Sequence, residues 1–328
     1  MTLLNIVYII IGVALVLWGA DRLTEGASSL ARGMHVPEII IGLTIVAAGT
    51  SAPELFVSLA SALKGTPDMA VGNVIGSNIF NTTLIVGCSA LVAPMVVEKS
   101  TVRKDIPFAV GASLLLFVLC FDDMASPHLW GNEINRSDGL LLLLGFAGFM
   151  VYTFHVAKKD GLMPSEEELE ENAEKPKDYS KLLRNIFWIV VGLGCLVYGS
   201  DLFVDSATYV ANRFGVRQSV IGLTIVAGGT SLPELATSVV AAYKGRSAIA
   251  IGNVIGSNVF NILMILGLTA VIQPLRIMGI TIVDLTMLLV TIGFLWLFSF
   301  TKYYVSRREG LVLVVSFLLY MGWLFYLI

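Results

Sequence analysis

Apolar residues fall into ten runs separated by short polar breaks, at about 3–24, 38–63, 68–95, 105–121, 138–157, 184–208, 219–243, 248–273, 280–300 and 310–327. Runs such as Leu140 to Val151 and Leu311 to Leu327 are continuous. They lack the period-two alternation of an outer-membrane barrel strand. Hydrocarbon offers no water to backbone N–H and C=O groups, and a helix satisfies those groups within its own segment. The predicted fold class is therefore an all-α membrane protein with ten transmembrane helices. Composition agrees: 56% of the 328 residues are apolar and 14% are charged, against roughly 25% charged in soluble domains. Met1 to Ala20 has no Lys or Arg ahead of its apolar run, so it is expected to remain as the first span and not to leave as a signal peptide.

The one long polar stretch, 158–183, carries the acidic run from Ser165 to Glu171 and is expected to be a flexible linker. It divides the chain into 1–157 and 184–328. Numbering the loops alternately places sixteen of the 21 Lys and Arg residues, those of the linker included, on one side and five on the other. Cytoplasmic loops retain basic residues. The linker is then cytoplasmic, both termini face outward, and the membrane is the plasma (inner) membrane.

Two blocks recur at one offset. Residues 41–55, IGLTIVAAGTSAPEL, return at 221–235 as IGLTIVAGGTSLPEL, identical at thirteen of fifteen positions. GNVIGSNIFN at 72–81 returns as GNVIGSNVFN at 252–261, again 180 residues on. Gly19-Ala20-Asp21 likewise returns as Gly199-Ser200-Asp201. Five spans separate each block from its copy, an odd number, so the copies cross the membrane in opposite directions. Two inverted five-helix repeats follow, an architecture typical of secondary transporters with a site near the midplane.

Within these blocks Glu54 and Glu234 lie at depth, and no Lys or Arg lies at similar depth to pair them. A charge there costs at least about 2.5 kcal/mol, so it faces a cavity and a partner. A mobile cation supplies that partner most economically. The bland alternative is a pair of protonated glutamates bonded to neighbouring helices, which explains a single acid better than a matched pair. Thr50 and Ser51, and likewise Thr230 and Ser231, precede the acids by four and three residues, on the same helical face. Pro53 and Pro233 cannot donate to the carbonyls of Gly49 and Gly229, which frees backbone oxygens near 47–50 and 227–230. In the second block Ser77 and Asn81, and Ser257 and Asn261, are four apart and share a face, whereas Asn78 and Asn258 are expected to point elsewhere. The Gly72–Gly76 and Gly252–Gly256 pairs read as helix-packing glycines. This set is all oxygen and suits hard cations such as Ca2+ and Na+. Cys88, Cys120 and Cys195 form no ligand pair and read as packing residues. His35, His128 and His155 form no HExxH.

The duplicated GTSxPEL and GNVIGSNxFN blocks resemble those of the sodium/calcium exchanger family, within the cation/calcium antiporter superfamily, and in particular its short prokaryotic members. The resemblance implies ten helices in two inverted halves, with helices 2, 3, 7 and 8 around a cluster of cation sites. Glu54, Glu234, Thr50 and Thr230 then match the calcium ligands. The Ala47 and Ala227 carbonyls with Ser51, Ser231, Ser77 and Ser257 match flanking sodium sites, and Asn81 and Asn261 line the centre. Members commonly exchange three Na+ for one Ca2+, which moves charge. Potassium-dependent relatives carry an acid where this chain has Asn261, so co-transport of K+ is not expected. The linker is too short for the calcium-sensing domains of animal exchangers.

The expected function is thus Na+/Ca2+ antiport by alternating access, normally expelling Ca2+, with the two ions as substrates, no cofactor, no nucleic acid and no obligate protein partner. H+/Ca2+ exchange is the nearest alternative, because carboxylates can take protons. A channel fits poorly with paired central acids. An intramembrane enzyme lacks a His or Lys beside Ser51 or Ser231, and a non-transporting membrane scaffold is the remaining alternative.

Overall fold

The computed structural model describes residues 2–34, 36–120, 133–159, 179–214, 227–277 and 280–327. Most of the expected linker (160–178), the start of the seventh expected span (219–226), His35 and His128 lie outside these described residues.

The described chain is mostly helical. Its α-helices are α1 (Thr2–Met34), α2 (Glu38–Ile41), α3 (Ala47–Thr50), α4 (Ala52–Leu63), α5 (Pro67–Phe80), α6 (Val86–Val92), α7 (Ile106–Cys120) and α8 (Arg136–Lys159), followed by α9 (Tyr179–Arg213), α10 (Ala227–Thr230), α11 (Leu232–Tyr243), α12 (Ser247–Val259), α13 (Gly267–Ile272), α14 (Ile282–Lys302) and α15 (Arg307–Leu327). Wider π-helical turns at Gly42–Val46, Asn81–Ile85 and Phe260–Leu266 join several of these into longer rods. Six rods are long and apolar enough to cross a bilayer: Leu4–Gly33, Pro67–Val92, Arg136–His155, Ser180–Arg213, Ser247–Ile272 and Ile282–Lys302. A seventh candidate, Glu38–Thr50 with Ala52–Leu63, is bent by 45°.

Two helices overrun their expected spans. The first expected span, 3–24, continues to Met34, and that at 184–208 is extended to Tyr179–Arg213. Hydropathy marks where the chain leaves hydrocarbon, whereas a helix runs on until something breaks it. After Asp21 the next breaker is Pro37.

Small residues let α1 and α9 pack closely. A Cβ on Gly12 would sit 2.7 Å from the Gly199 carbonyl, and one on Gly192 would sit 2.8 Å from the Gly19 carbonyl. Gly12 opposes Gly199 and Gly19 opposes Gly192, so the two helices run antiparallel. Short strands make two further junctions: β1 (Met95–Val96) pairs with β4 (Tyr304–Val305), and β2 (Glu133–Ile134) pairs with β3 (Leu275–Arg276), all antiparallel. Each strand pair joins a segment before the linker to one after it, so the two parts of the chain interlock around α5 and α12.

Candidate ion-binding site

The site begins with two prolines. Proline has no N–H and is favoured in the first helical turn, so Pro53 and Pro233 end one helix and start another. Ser51 (φ −84°, ψ 7°) and Ser231 (φ −91°, ψ 8°) hold nearly the same non-helical conformation at the two breaks. Glu54 and Glu234 consequently sit in the first turns of α4 and α11, where the positive end of the helix dipole favours a carboxylate. Both are fully buried, at 0% and 1% exposure.

Each hydroxyl serves the acid of the other copy. Ser51 donates to Glu234 Oε1 at 2.8 Å, and Ser231 donates to Glu54 Oε1 at 2.9 Å. The shared helical face expected for Ser51 and Glu54 is therefore corrected. The break at residue 51 ends the regular i to i+3 geometry and turns the hydroxyl across to the opposing copy. Thr50 and Thr230 follow the same rule, lying beside Glu234 and Glu54 respectively. Ser77 Oγ is 3.2 Å from Ser231 Oγ. The Ala47 carbonyl accepts the Ser51 N–H at 3.0 Å and the Thr50 hydroxyl at 3.4 Å. Ala227 opens α10 in the equivalent place.

The asparagines form a second layer. Asn81 donates its amide to Asn258 Oδ1 at 3.0 Å, Asn261 donates to Asn78 Oδ1 at 3.0 Å, and Asn78 donates to the Asn258 carbonyl at 3.2 Å. Asn78 and Asn258 thus do not point away from Asn81 and Asn261, as their spacing suggested. Helical spacing describes faces of one rod, and here each amide reaches the opposing rod. Both Asn81 and Asn261 lie in π-helical turns, which commonly mark functional sites.

Two further residues escaped the sequence reading. Asn73 donates to Ser58 Oγ at 3.0 Å and to the Glu54 carbonyl at 3.3 Å, and Asn253 repeats this with Ser238 Oγ at 2.9 Å and the Glu234 carbonyl at 3.4 Å. These amides pin α4 to α5 and α11 to α12. Their signal was present, because both belong to the duplicated GNVIGSN block. Gly252 and Gly256 allow close packing against the Ile39 and Leu43 carbonyls, at 2.8 and 2.6 Å from an added Cβ. Residues 222–226, the copy of that 42–46 limb and the expected neighbour of Gly72 and Gly76, lie outside the described residues.

Once these bonds are counted, Glu54 Oε2, Glu234 Oε2, Asn81 Oδ1, Asn261 Oδ1 and Ser257 Oγ are buried without a hydrogen-bond partner. A buried orphan costs about 1–3 kcal/mol, and more when charged. Four of the five are oxygens that act only as acceptors when the acids are ionised.

A buried set of acceptor oxygens, built by two copies of one motif inside long apolar helices, belongs to a membrane transporter of cations. The chain is a member of the sodium/calcium exchanger family: the family model described as "Sodium/calcium exchanger protein" matches residues 4–155 and 184–326. The putative antiporter CaxA of Alkalimonas amylolytica is 38% identical over 82% of this chain and 81% of its own length. The sodium/calcium exchanger MaX1 of Methanosarcina acetivorans is 33% identical over the full length of both. The solved sodium-calcium exchanger NCX_Mj, soaked with 10 mM Na+ and zero Ca2+, superposes with a TM-score of 0.84 at 27% identity, covering 98% of this chain and 99% of that one. The family is one of membrane exchangers and not of enzymes, which closes the enzymatic reading.

Proposed function

We propose that this chain is a Na+/Ca2+ antiporter of ten transmembrane helices in two inverted five-helix repeats, 1–157 and 184–328, joined by a cytoplasmic linker at 158–183. Both termini face outward from the plasma membrane. One observation carries the reading: Oε2 of Glu54 and of Glu234 and Oδ1 of Asn81 and of Asn261 are buried acceptors without a hydrogen-bond partner. The antiparallel packing of α1 against its copy α9 supports the inversion. The names of MaX1 and NCX_Mj support the choice of ions.

Glu54, Glu234, Thr50 and Thr230 would hold Ca2+. Ser51, Ser231, Ser77, Ser257 and the Ala47 and Ala227 carbonyls would hold Na+, with Asn81 and Asn261 at the centre. Two carboxylates carry the charge that one Ca2+ neutralises, and the hydroxyls and carbonyls suit several Na+. Because both ions draw on the same acids, they compete. An empty site would leave two close negative charges in a low dielectric, so the protein resists changing face unloaded. Exchange follows from that restriction, and unequal ion charge makes it electrogenic. With Na+ entering, Ca2+ leaves.

The coupling ion is tested in sealed vesicles loaded with Na+. An outward Na+ gradient should drive Ca2+ accumulation. Equal accumulation with choline in place of Na+ would reject sodium coupling, and accumulation driven only by a pH gradient would favour H+/Ca2+ exchange.

The asparagine layer gives a second expected result. Donation to Asn258 fixes the Asn81 amide with its oxygen free for an ion. Asn258→Leu removes that acceptor and lets the Asn81 side chain turn, and it is expected to weaken Ca2+ binding about fivefold, the order of one hydrogen bond of about 1 kcal/mol. Asn258→Asp retains the acceptor and should lose less. Calcium titration of the purified variants reads both. Equal loss in the two would show that the amide orientation is not set in this way.

A further inference from the structure

The two copies of the motif helix are packed differently by the long first helix of the opposite half. Helix α1 lies along α11, whereas its copy α9 stands off α4, the copy of α11. On α11, Ala236 and Thr237 are buried at 7% and 0% exposure. The corresponding Phe56 and Val57 on α4 are exposed at 70% and 36%.

Ion pairs follow the same asymmetry. Lys244, at the end of α11, pairs with Asp21 at 2.5 Å and with Glu25 at 3.0 Å on α1. Asp21 and Glu25 are one turn apart, so both face the lysine. Each member of the trio has a copy 180 residues on or back: Asp201 and Asp205 on α9, and Lys64 at the end of α4. Among the described residues no ion pair reaches Lys64, Asp201 or Asp205. Lys64 and Asp201 are exposed. The acids of the formed trio also have Arg22 on their own helix, at 2.6 Å from Asp21 and 3.2 Å from Glu25. What Lys244 adds is the link between helices.

We propose that Lys244 and Lys64 are alternating latches, one closed at a time, which hold the two faces of the exchanger shut in turn. This rests on the inverted-repeat antiport reading above. In the conformation seen here Lys244 ties α1 to α11 and closes one face. In the opposite conformation Lys64 ties α9 to α4 by Asp201 and Asp205, and Lys244 releases α1. The inversion that makes the site symmetric also puts the two latches on opposite faces. Lys244 belongs to the loop set rich in Lys and Arg, so the closed face is the cytoplasmic one. That face carries a reinforcement without a copy: Glu38 accepts from Arg246 at 3.1 Å, and the positions equivalent to these two hold Gln218 and Thr66. The pair biases the unloaded protein toward the conformation described here.

The test reads populations and not flux. Spin labels are placed on cysteines introduced at Leu63 on α4 and Tyr198 on α9, in the full chain with Cys88, Cys120 and Cys195 replaced by Ala. Pulsed dipolar spectroscopy then gives the distribution of the α4–α9 distance, short when the Lys64 latch is closed and long when it is open. Lys244→Gln is expected to raise the short-distance population about threefold to tenfold, the range for one or two partly exposed ion pairs. Adding Lys64→Gln or Asp201→Asn to that variant should reverse the increase. Populations that shift in the same direction for both lysines, or for neither, would overturn the latch. Neither lysine touches the ion site, so Na+-driven Ca2+ uptake in vesicles remains a separate measurement. Loss of sodium coupling with the opposed shifts intact would count against the transport reading alone.

Discussion

Glu54→Gln should reduce Na+-driven Ca2+ accumulation in vesicles by at least about a hundredfold, and Glu234→Gln should do the same. The substitution keeps side-chain shape and leaves an oxygen that can accept from Ser231 or Ser51 in place of Glu54 Oε1 or Glu234 Oε1. What changes is the other atom. An acceptor oxygen without a donor becomes an NH2 group that points two hydrogens at the ion, and the site charge falls from −2 to −1. At an effective dielectric near 20, one unit charge at about 4 Å from another is worth about 4 kcal/mol. A hundredfold loss requires only about 2.7 kcal/mol. Folding should survive, since the substitution removes a buried charge and adds no volume. A variant that melts like the parent and still accumulates Ca2+ at the parent's rate would remove that carboxylate from the ion path.

Gly256→Val is the second large effect, and it acts through packing. A Cβ at residue 256 would lie 2.6 Å from the Leu43 carbonyl and 2.7 Å from the Ala47 Cβ. Backbone cannot move aside as a flexible side chain can, so α12 must separate from the 38–50 limb. Overpacking of this kind costs about 1–3 kcal/mol. Here the separated elements carry Ala47, Thr50 and Ser257. Thermal stability and Ca2+ affinity should therefore fall together, the first by several degrees and the second by an order of magnitude or more. A variant with lowered stability and intact Ca2+ affinity would show that close approach of α12 to that limb is not needed for the site.

Much of this was legible in the sequence for identifiable reasons. Apolar runs place helices because hydrocarbon leaves the backbone no alternative. Glu54 and Glu234 announce themselves because a charge in such a run has to be accounted for, and the repeat at 180 residues makes them a pair. Other features were not legible. The crossing of Ser51 to Glu234 and of Ser231 to Glu54 depends on how two halves oppose each other, and helical spacing within one half holds no information about that. The same holds for Asn78 and Asn258, which a one-helix reading turned away from the site. The extension of α1 to Met34 was hidden because hydropathy falls at Asp21 while helix propensity does not. The inequality of the two halves, with α1 against α11 and α9 away from α4, could not be read from nearly identical motifs. Residue differences outside the motifs, such as Glu38 and Arg246 against Gln218 and Thr66, accompany that inequality but do not announce it.

The central claim is that two buried acids from opposed halves share one site for competing ions. Calorimetric titration of Ca2+ into the purified chain, repeated at increasing Na+, tests it directly. One Ca2+ per chain is expected, with affinity falling steeply as Na+ rises and no binding when both Glu54 and Glu234 are Gln. Calcium binding that ignores Na+, or that persists in the double variant, would contradict it.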